Sequence, residues 1–107
     1  MTYIEELQDM IRHRYGVESA HLESVPVKET LEGKTIWDGK VEVFELKDYP
    51  KAPKVYAWSY ATADPKRPLH VSVLHVAPVT SPMQAVRATI MEESRAKEAK
   101  PSSETQS

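Results

Sequence analysis

The sequence predicts an α+β domain in which an antiparallel meander of three or four strands is flanked by an N-terminal and a C-terminal helix. Two capped helical patterns, beginning at Thr2 and Ser81, enclose short alternating segments that proline and glycine separate. The links between these segments are too short for the crossovers that parallel strands need. Each helix must bury an apolar stripe, so we expect both to pack on one face of the sheet as a two-layer sandwich.

Length and composition favour one small soluble domain. The chain has 107 residues, no cysteine, 28% charged residues and a formal net charge of -2. We assign residues 1–98 to a single domain and residues 99–107 to a disordered polar tail. The absence of cysteine favours a reducing compartment, and we expect the cytoplasm. No apolar run approaches the roughly 18 to 20 residues of a membrane span, and the start lacks signal-peptide character, so no membrane partner is expected.

The first helix is predicted to begin after Thr2 and to end near Tyr15. Thr2 and Glu5 have the spacing of a capping box, in which each side chain bonds the backbone of the other residue. Gly16 can adopt the left-handed conformation that ends a helix. Apolar residues recur every three or four positions and form one stripe for burial: Ile4, Leu7, Met10 and Ile11.

Strand character follows in residues 20–28, 35–46, 54–61 and 69–76. Gly33 supplies the turn between the first two segments. Pro26 removes a backbone donor from the first segment, so this strand should lie at an edge of the sheet or carry a bulge. Asp38–Gly39 interrupts the second segment, and this dipeptide is consistent with either a hairpin turn or a bulge.

The second helix begins with the clearest local signal in the chain. Ser81 is predicted as the N-cap, Pro82 as the first helical residue and Gln84 as the residue that completes a capping box. Its apolar face consists of Met83, Val86 and Ile90, with Ala85 and Ala88 as small neighbours.

Three aromatic residues alternate along the third strand and therefore project from one face: Tyr56, Trp58 and Tyr60. The neighbouring strand does not decide which face the helices cover, because a shift of one residue in register exchanges its two faces. This aromatic ladder is therefore core, subunit interface or ligand platform. Together with Lys54, its three members form our candidate binding site.

These surfaces predict a non-catalytic binding or interaction module that self-associates through the aromatic sheet face, with Trp58 as the anchor. The expected partner is a second copy of the chain, or another protein. A flat ligand such as a single-stranded base is an alternative, although the acidic composition attracts nucleic acid poorly. Two further alternatives are a purely structural chain and a small enzyme with its active site at a subunit interface. A cleft that holds His70 or His75 beside a carboxylate would favour the enzyme.

No residue is assigned a catalytic or metal-binding role from the sequence. His70 and His75 lie an odd number of positions apart on one strand, so they point to opposite faces and cannot share a metal ion. His13 is placed to pair with a carboxylate one helical turn earlier. His21 alternates with Glu23 on the first strand, which predicts an exposed pair rather than a catalytic dyad. We accordingly expect no metal and no cofactor.

Overall fold

The computed structural model describes residues 2–92. The predicted tail, residues 99–107, and the end of the predicted domain lie outside this range. The elements are helix α1 (Tyr3–Tyr15), strands β1 (Ser19–Leu31), β2 (Lys34–Leu46), β3 (Lys54–Tyr60) and β4 (Leu69–Leu74), and helix α2 over residues 82–92. The strands form one antiparallel sheet in the order β1-β2-β3-β4. The predicted class, meander and element order are confirmed.

Helix α1 has the predicted ends. The Thr2 hydroxyl accepts a hydrogen bond from the Glu5 amide at 3.2 Å, and the Glu5 carboxylate accepts one from the Thr2 amide at 2.9 Å. The backbone bond lowers the pKa of Glu5, and the Thr2 hydroxyl lowers it further. Gly16 has the left-handed φ of 70° and donates to the Arg12 carbonyl at 2.8 Å. These contacts satisfy backbone groups that have no partner within the helix.

Helix α2 is capped with one difference from the prediction. The Ser81 hydroxyl accepts from the Gln84 amide at 3.3 Å, as an N-cap residue does. The Gln84 side chain does not bond the Ser81 amide. It accepts instead from the amide and the hydroxyl of Thr80, each at 2.8 Å. The side chain therefore holds the segment that enters the helix rather than the cap residue itself.

The β1–β2 hairpin is closed by a tight turn at Glu32 and Gly33. Both residues have positive φ, 52° and 80°, which is the conformation of the type I′ turn that joins twisted strands. Gly33 thus has the role that the sequence predicts. Strand β1 lies at an edge of the sheet, where Pro26 removes no bond from an inner ladder.

Asp38–Gly39 is neither a turn nor a bulge, which corrects both alternatives drawn from the sequence. The two residues pair in regular register with Lys28 and Val27 of β1. A Cβ built at Gly39 would lie 3.2 Å from the Trp37 indole ring, so a larger residue here would require the ring to move by a few tenths of an ångström. The glycine gives the ring room to lie along its own strand, and the chain continues without reversing.

The two helices lie on opposite faces of the sheet, so the prediction that both pack on one face is wrong. In the first cluster, Leu7 and Ile11 of α1 pack with residues of β2 and β3 that include Val55 and Ala57. In the second cluster, α2 residues pack with the alternate residues of the same strands. That cluster contains Ala85, Val86, Val43, Tyr56 and Trp58. Strand β3 is apolar on both faces, and each face needs its own cover.

The packing of Gly39 against Trp37 gives a testable prediction. Gly39→Val should lower the free energy of unfolding by about 1 to 3 kcal/mol, because the added methyl groups displace the indole. In a Trp37→Leu background the same change should cost much less, since the obstructing ring is gone and valine favours strands. A double-mutant cycle measured by urea unfolding tests this. Equal costs in the two backgrounds would contradict the packing explanation.

Candidate functional site

The predicted aromatic ladder lies in the core beneath α2. Tyr56 and Trp58 are each only 2% exposed, and Tyr60 is half-buried. The Trp37 indole packs edge-on against Trp58, with ring centroids 5.7 Å apart and planes at 77°. Trp37 Nε1 also donates to the Tyr60 hydroxyl at 3.0 Å. In this arrangement the ladder supports α2, and it does not present a free aromatic surface.

Trp58 is buried by packing without a hydrogen bond to its indole nitrogen. Within residues 2–92, its Nε1 has no acceptor although the atom is inaccessible to solvent. An unpaired buried donor costs free energy. The large apolar ring outweighs this cost through the area it buries in the cluster with Val86.

Two of the candidate binding residues, Lys54 and the ladder member Tyr56, have polar neighbours. Lys54 is half-buried and sits directly across from Glu45 of β2. The Tyr56 hydroxyl forms a 2.5 Å hydrogen bond with His75 Nδ1. Burial raises the pKa of Tyr56, and the negative charge of Glu23 raises it further. Both effects favour the neutral form of the phenol. Because Tyr56 and Trp58 are buried, the four predicted binding residues do not form one exposed site.

A different surface contains several exposed apolar side chains that the sequence did not single out. Strand β2 pairs with β3 only between Glu42 and Glu45, so residues 25–41 of the hairpin continue beyond this ladder as an arm that is not hydrogen-bonded to β3. The arm and α2 border an open depression with a volume of about 290 Å³. We call it the arm groove; its lining consists of Glu29, Thr30, Leu31, Ile36, Arg87, Ile90 and Met91.

The walls of the arm groove are apolar and its rim is electrically balanced. Leu31, Ile36 and Met91 are 62%, 44% and 56% exposed, although large apolar residues usually lose more of their surface. An ion pair between Glu29 and Arg87 joins the arm to α2 at the rim. The sequence could not reveal this groove, because its two sides are brought together only when α2 packs across the sheet.

Glu42 is the one charged residue that is buried within residues 2–92, with 4% exposure. It lies on the α1 face of β2, between Ser24 of β1 and Ala57 of β3. One of its oxygens, Oε1, accepts a hydrogen bond from the Ser24 hydroxyl and lies 2.9 Å from His21 Nε2. These contacts bring a histidine, a carboxylate and a serine together on that face.

The partner of His21 differs from the expected one. A bulge interrupts β1 between His21 and Glu23, so His21 pairs with Phe44 of β2 whereas Glu23 pairs with Val43. The two side chains therefore project from opposite faces, and the expected His21–Glu23 pair does not form. The contact with Glu42 is not evident from the sequence, because strict alternation along β1 places His21 on the same face as Glu23.

The other histidines are placed as follows. His13 contacts Asp9 across one helical turn, with 3.8 Å between His13 Nδ1 and Asp9 Oδ2, which confirms the expected pair. His70 bonds the Ser59 hydroxyl and His75 bonds Tyr56. Neither ring pairs with a carboxylate in the described part of the chain, so neither meets the condition set for an enzyme site.

Residues 2–92 contain no group of three or more histidine, aspartate or glutamate side chains arranged to hold a metal ion. The helices in this range are too short or too polar to cross a membrane. Comparison of the chain with protein-family models, curated proteins and solved structures gives no match. Function must therefore be argued from geometry and chemistry.

Trp58 provides a prediction about the covered ladder. Trp58→Ala should lower the free energy of unfolding by about 3 to 5 kcal/mol, the range for a large aromatic residue removed from a core. Trp58→Phe should cost clearly less, because it keeps most of the ring and removes the unpaired indole donor. Guanidinium unfolding measures both. A small loss for Trp58→Ala would contradict the placement of this residue in the core.

The pKa of Tyr56 provides a second prediction. The unfolded chain should ionise this phenol near pH 10 and the folded chain only at higher pH. Its contribution to stability is then complete below about pH 10 and is lost as pH rises through the folded pKa. The difference in ultraviolet absorbance between wild type and Tyr56→Phe reports the ionisation.

Glu23→Gln tests the electrostatic part of this explanation, since it should shift the Tyr56 titration towards the ordinary value while burial keeps it raised. A Tyr56 titration that coincides with free tyrosine in wild type would contradict both causes.

Proposed function

We propose that this protein is an interaction module that forms a homodimer through the arm groove. The observation that carries the proposal is the clustering of Leu31, Ile36 and Met91, three large exposed apolar residues, around one depression. Contiguous exposed apolar surface with a polar rim is typical of protein interaction sites. The cytoplasm would suit such a module, because a chain without cysteine needs no oxidising compartment.

The balance of charge around the groove supports a second copy of the chain as the occupant. The charged residues that line the groove are Glu29 and Arg87, one of each sign, and they pair with each other. A surface of one sign would favour a partner of the opposite sign. A surface that carries both signs can complement itself when a two-fold axis places it against its own copy.

The remaining routes to self-association are protected. Helix α2 covers the aromatic sheet face through which the sequence predicts self-association. At the β4 edge, the Arg14 guanidinium donates to the His70 carbonyl at 3.0 Å and to the Ser72 hydroxyl at 2.9 Å. The β1 edge carries Pro26 and two register shifts. Charges, prolines and bulges are the usual devices that prevent strand pairing between chains. These features favour the groove as the route.

Substitution of Met91 tests the proposal. Native mass spectrometry and light scattering of the wild type should show a dimer of twice 12.1 kDa at micromolar concentration. Met91→Glu places a charge on the apolar wall and should raise the dissociation constant by at least about tenfold, or about 1.4 kcal/mol. Ile36→Glu should act in the same direction from the opposite wall.

Leu22→Glu is the matched control, because Leu22 is 48% exposed on β1 and does not line the groove. It should leave the dimer unchanged. A wild-type protein that remains monomeric at micromolar concentration would exclude the proposed homodimer. If Leu22→Glu and Met91→Glu raised the dissociation constant equally, the interface would lie elsewhere.

A further inference from the structure

We propose that His21, oriented by Glu42, is a general base that activates water for the hydrolysis of small uncharged carboxylic esters. This site is independent of the arm groove. His21 and Glu42 lie on the face of the sheet that α1 covers in part, whereas the groove is bounded by α2 on the other face. The role goes beyond that of an interaction module.

The contacts of Glu42 determine which nitrogen of His21 is free. A carboxylate only accepts hydrogen bonds, so the proton between the two groups belongs to His21 Nε2, which lies 2.9 Å from Glu42 Oε1. The neutral ring then has an unprotonated Nδ1 with its lone pair available. Within residues 2–92, Nδ1 makes no hydrogen bond. A base held by a second group in a fixed tautomer is the arrangement that general-base catalysis requires.

Burial makes the Glu42 carboxylate an effective orienting group. Its side chain is 6% exposed, whereas that of His21 is 30% exposed. A carboxylate removed from water interacts more strongly with a neighbouring positive charge, so it should stabilise the imidazolium that forms when His21 accepts a proton. The His21 side chain keeps 30% of its surface in contact with solvent, from which the attacking water would come.

The bulge in β1 creates this arrangement. Ser24 and His21 lie an odd number of positions apart, so in a regular strand they would project from opposite faces. The register shift after His21 places both on the α1 face, where they reach the same carboxylate oxygen. Bulges often redirect side chains next to active sites. The His21 ring is further held beside Phe44, with centroids 5.3 Å apart.

The geometry favours water as the nucleophile. Ser24 donates its proton to Glu42 and is not bonded to the imidazole, so the base does not activate it. In the proposed step, His21 Nδ1 takes a proton from water while the water oxygen adds to the ester carbonyl carbon. The tetrahedral intermediate then expels the alcohol oxygen, which receives that proton from His21. The products are a carboxylic acid and an alcohol.

The charge at the site favours an uncharged substrate. The buried Glu42 carboxylate lies 2.9 Å from the His21 ring and would repel an anion. Small neutral esters avoid this repulsion.

Hydrolysis of ethyl dichloroacetate by the full chain tests the proposal, with acid release followed by titration at constant pH. Its ethoxide leaving group is too poor for direct displacement by an imidazole, so the rate reports base-assisted attack of water. The wild-type rate should exceed that of free 4-methylimidazole at equal concentration. His21→Gln should lower it at least about tenfold, the lower range for a positioned base. His13→Gln is the control, because His13 is also a histidine beside a carboxylate but its side chain is 75% exposed.

Two further results separate a base from a structural residue. Glu42→Gln should lower the rate while circular dichroism shows an intact fold. Nitrogen-15 spectra of the wild-type His21 ring should show the proton on Nε2. Equal losses in His21→Gln and His13→Gln, a proton on Nδ1, or a wild-type rate no higher than that of free 4-methylimidazole would each overturn the proposal. If Glu42→Gln does not fold, the His21 and His13 variants still decide.

Discussion

The burial of both faces of β3 is the constraint on which the rest of the structure depends. Val55 and Ala57 project towards α1, and Tyr56 and Trp58 project towards α2. A strand with two apolar faces cannot leave either in water, so it requires a layer on each side. The two terminal helices supply these layers. Smaller residues of β3 face α1, and two large aromatic residues face α2.

This constraint also determines which surfaces remain available. Helix α2 uses Ala85 and Val86 to cover the aromatic residues, and its following turn, with Ile90 and Met91, extends to the arm. The apolar groove therefore results from the mismatch between a long β1–β2 hairpin and the shorter strands β3 and β4. On the α1 face the same hairpin carries polar residues, and Glu42 is buried there only because Ser24 and His21 accommodate its carboxylate.

Local signals in the sequence predicted the elements well, because caps and turns depend on neighbouring residues. Thr2, Gly16 and Gly33 each have the predicted role. The placement of α2 was not predictable in the same way, since both faces of β3 are apolar and neither excludes a helix. Asp38–Gly39 was misread because the glycine gives room to the Trp37 indole. A bulge leaves no clear mark in the sequence, so the contact between His21 and Glu42 was also missed.

The two candidate functions arise from irregular features of one hairpin rather than from the central strand. An added residue in β1 rotates His21 towards Glu42, and a glycine in β2 lets Trp37 brace the arm against Trp58. Without the bulge, His21 would lie on the same face as Glu23. A larger side chain in place of Gly39 would crowd the Trp37 indole. Because the arm and the His21 cluster use opposite faces of this hairpin, dimerisation at the groove would leave His21 open to solvent. An interaction surface and a reactive histidine can therefore coexist in so short a chain.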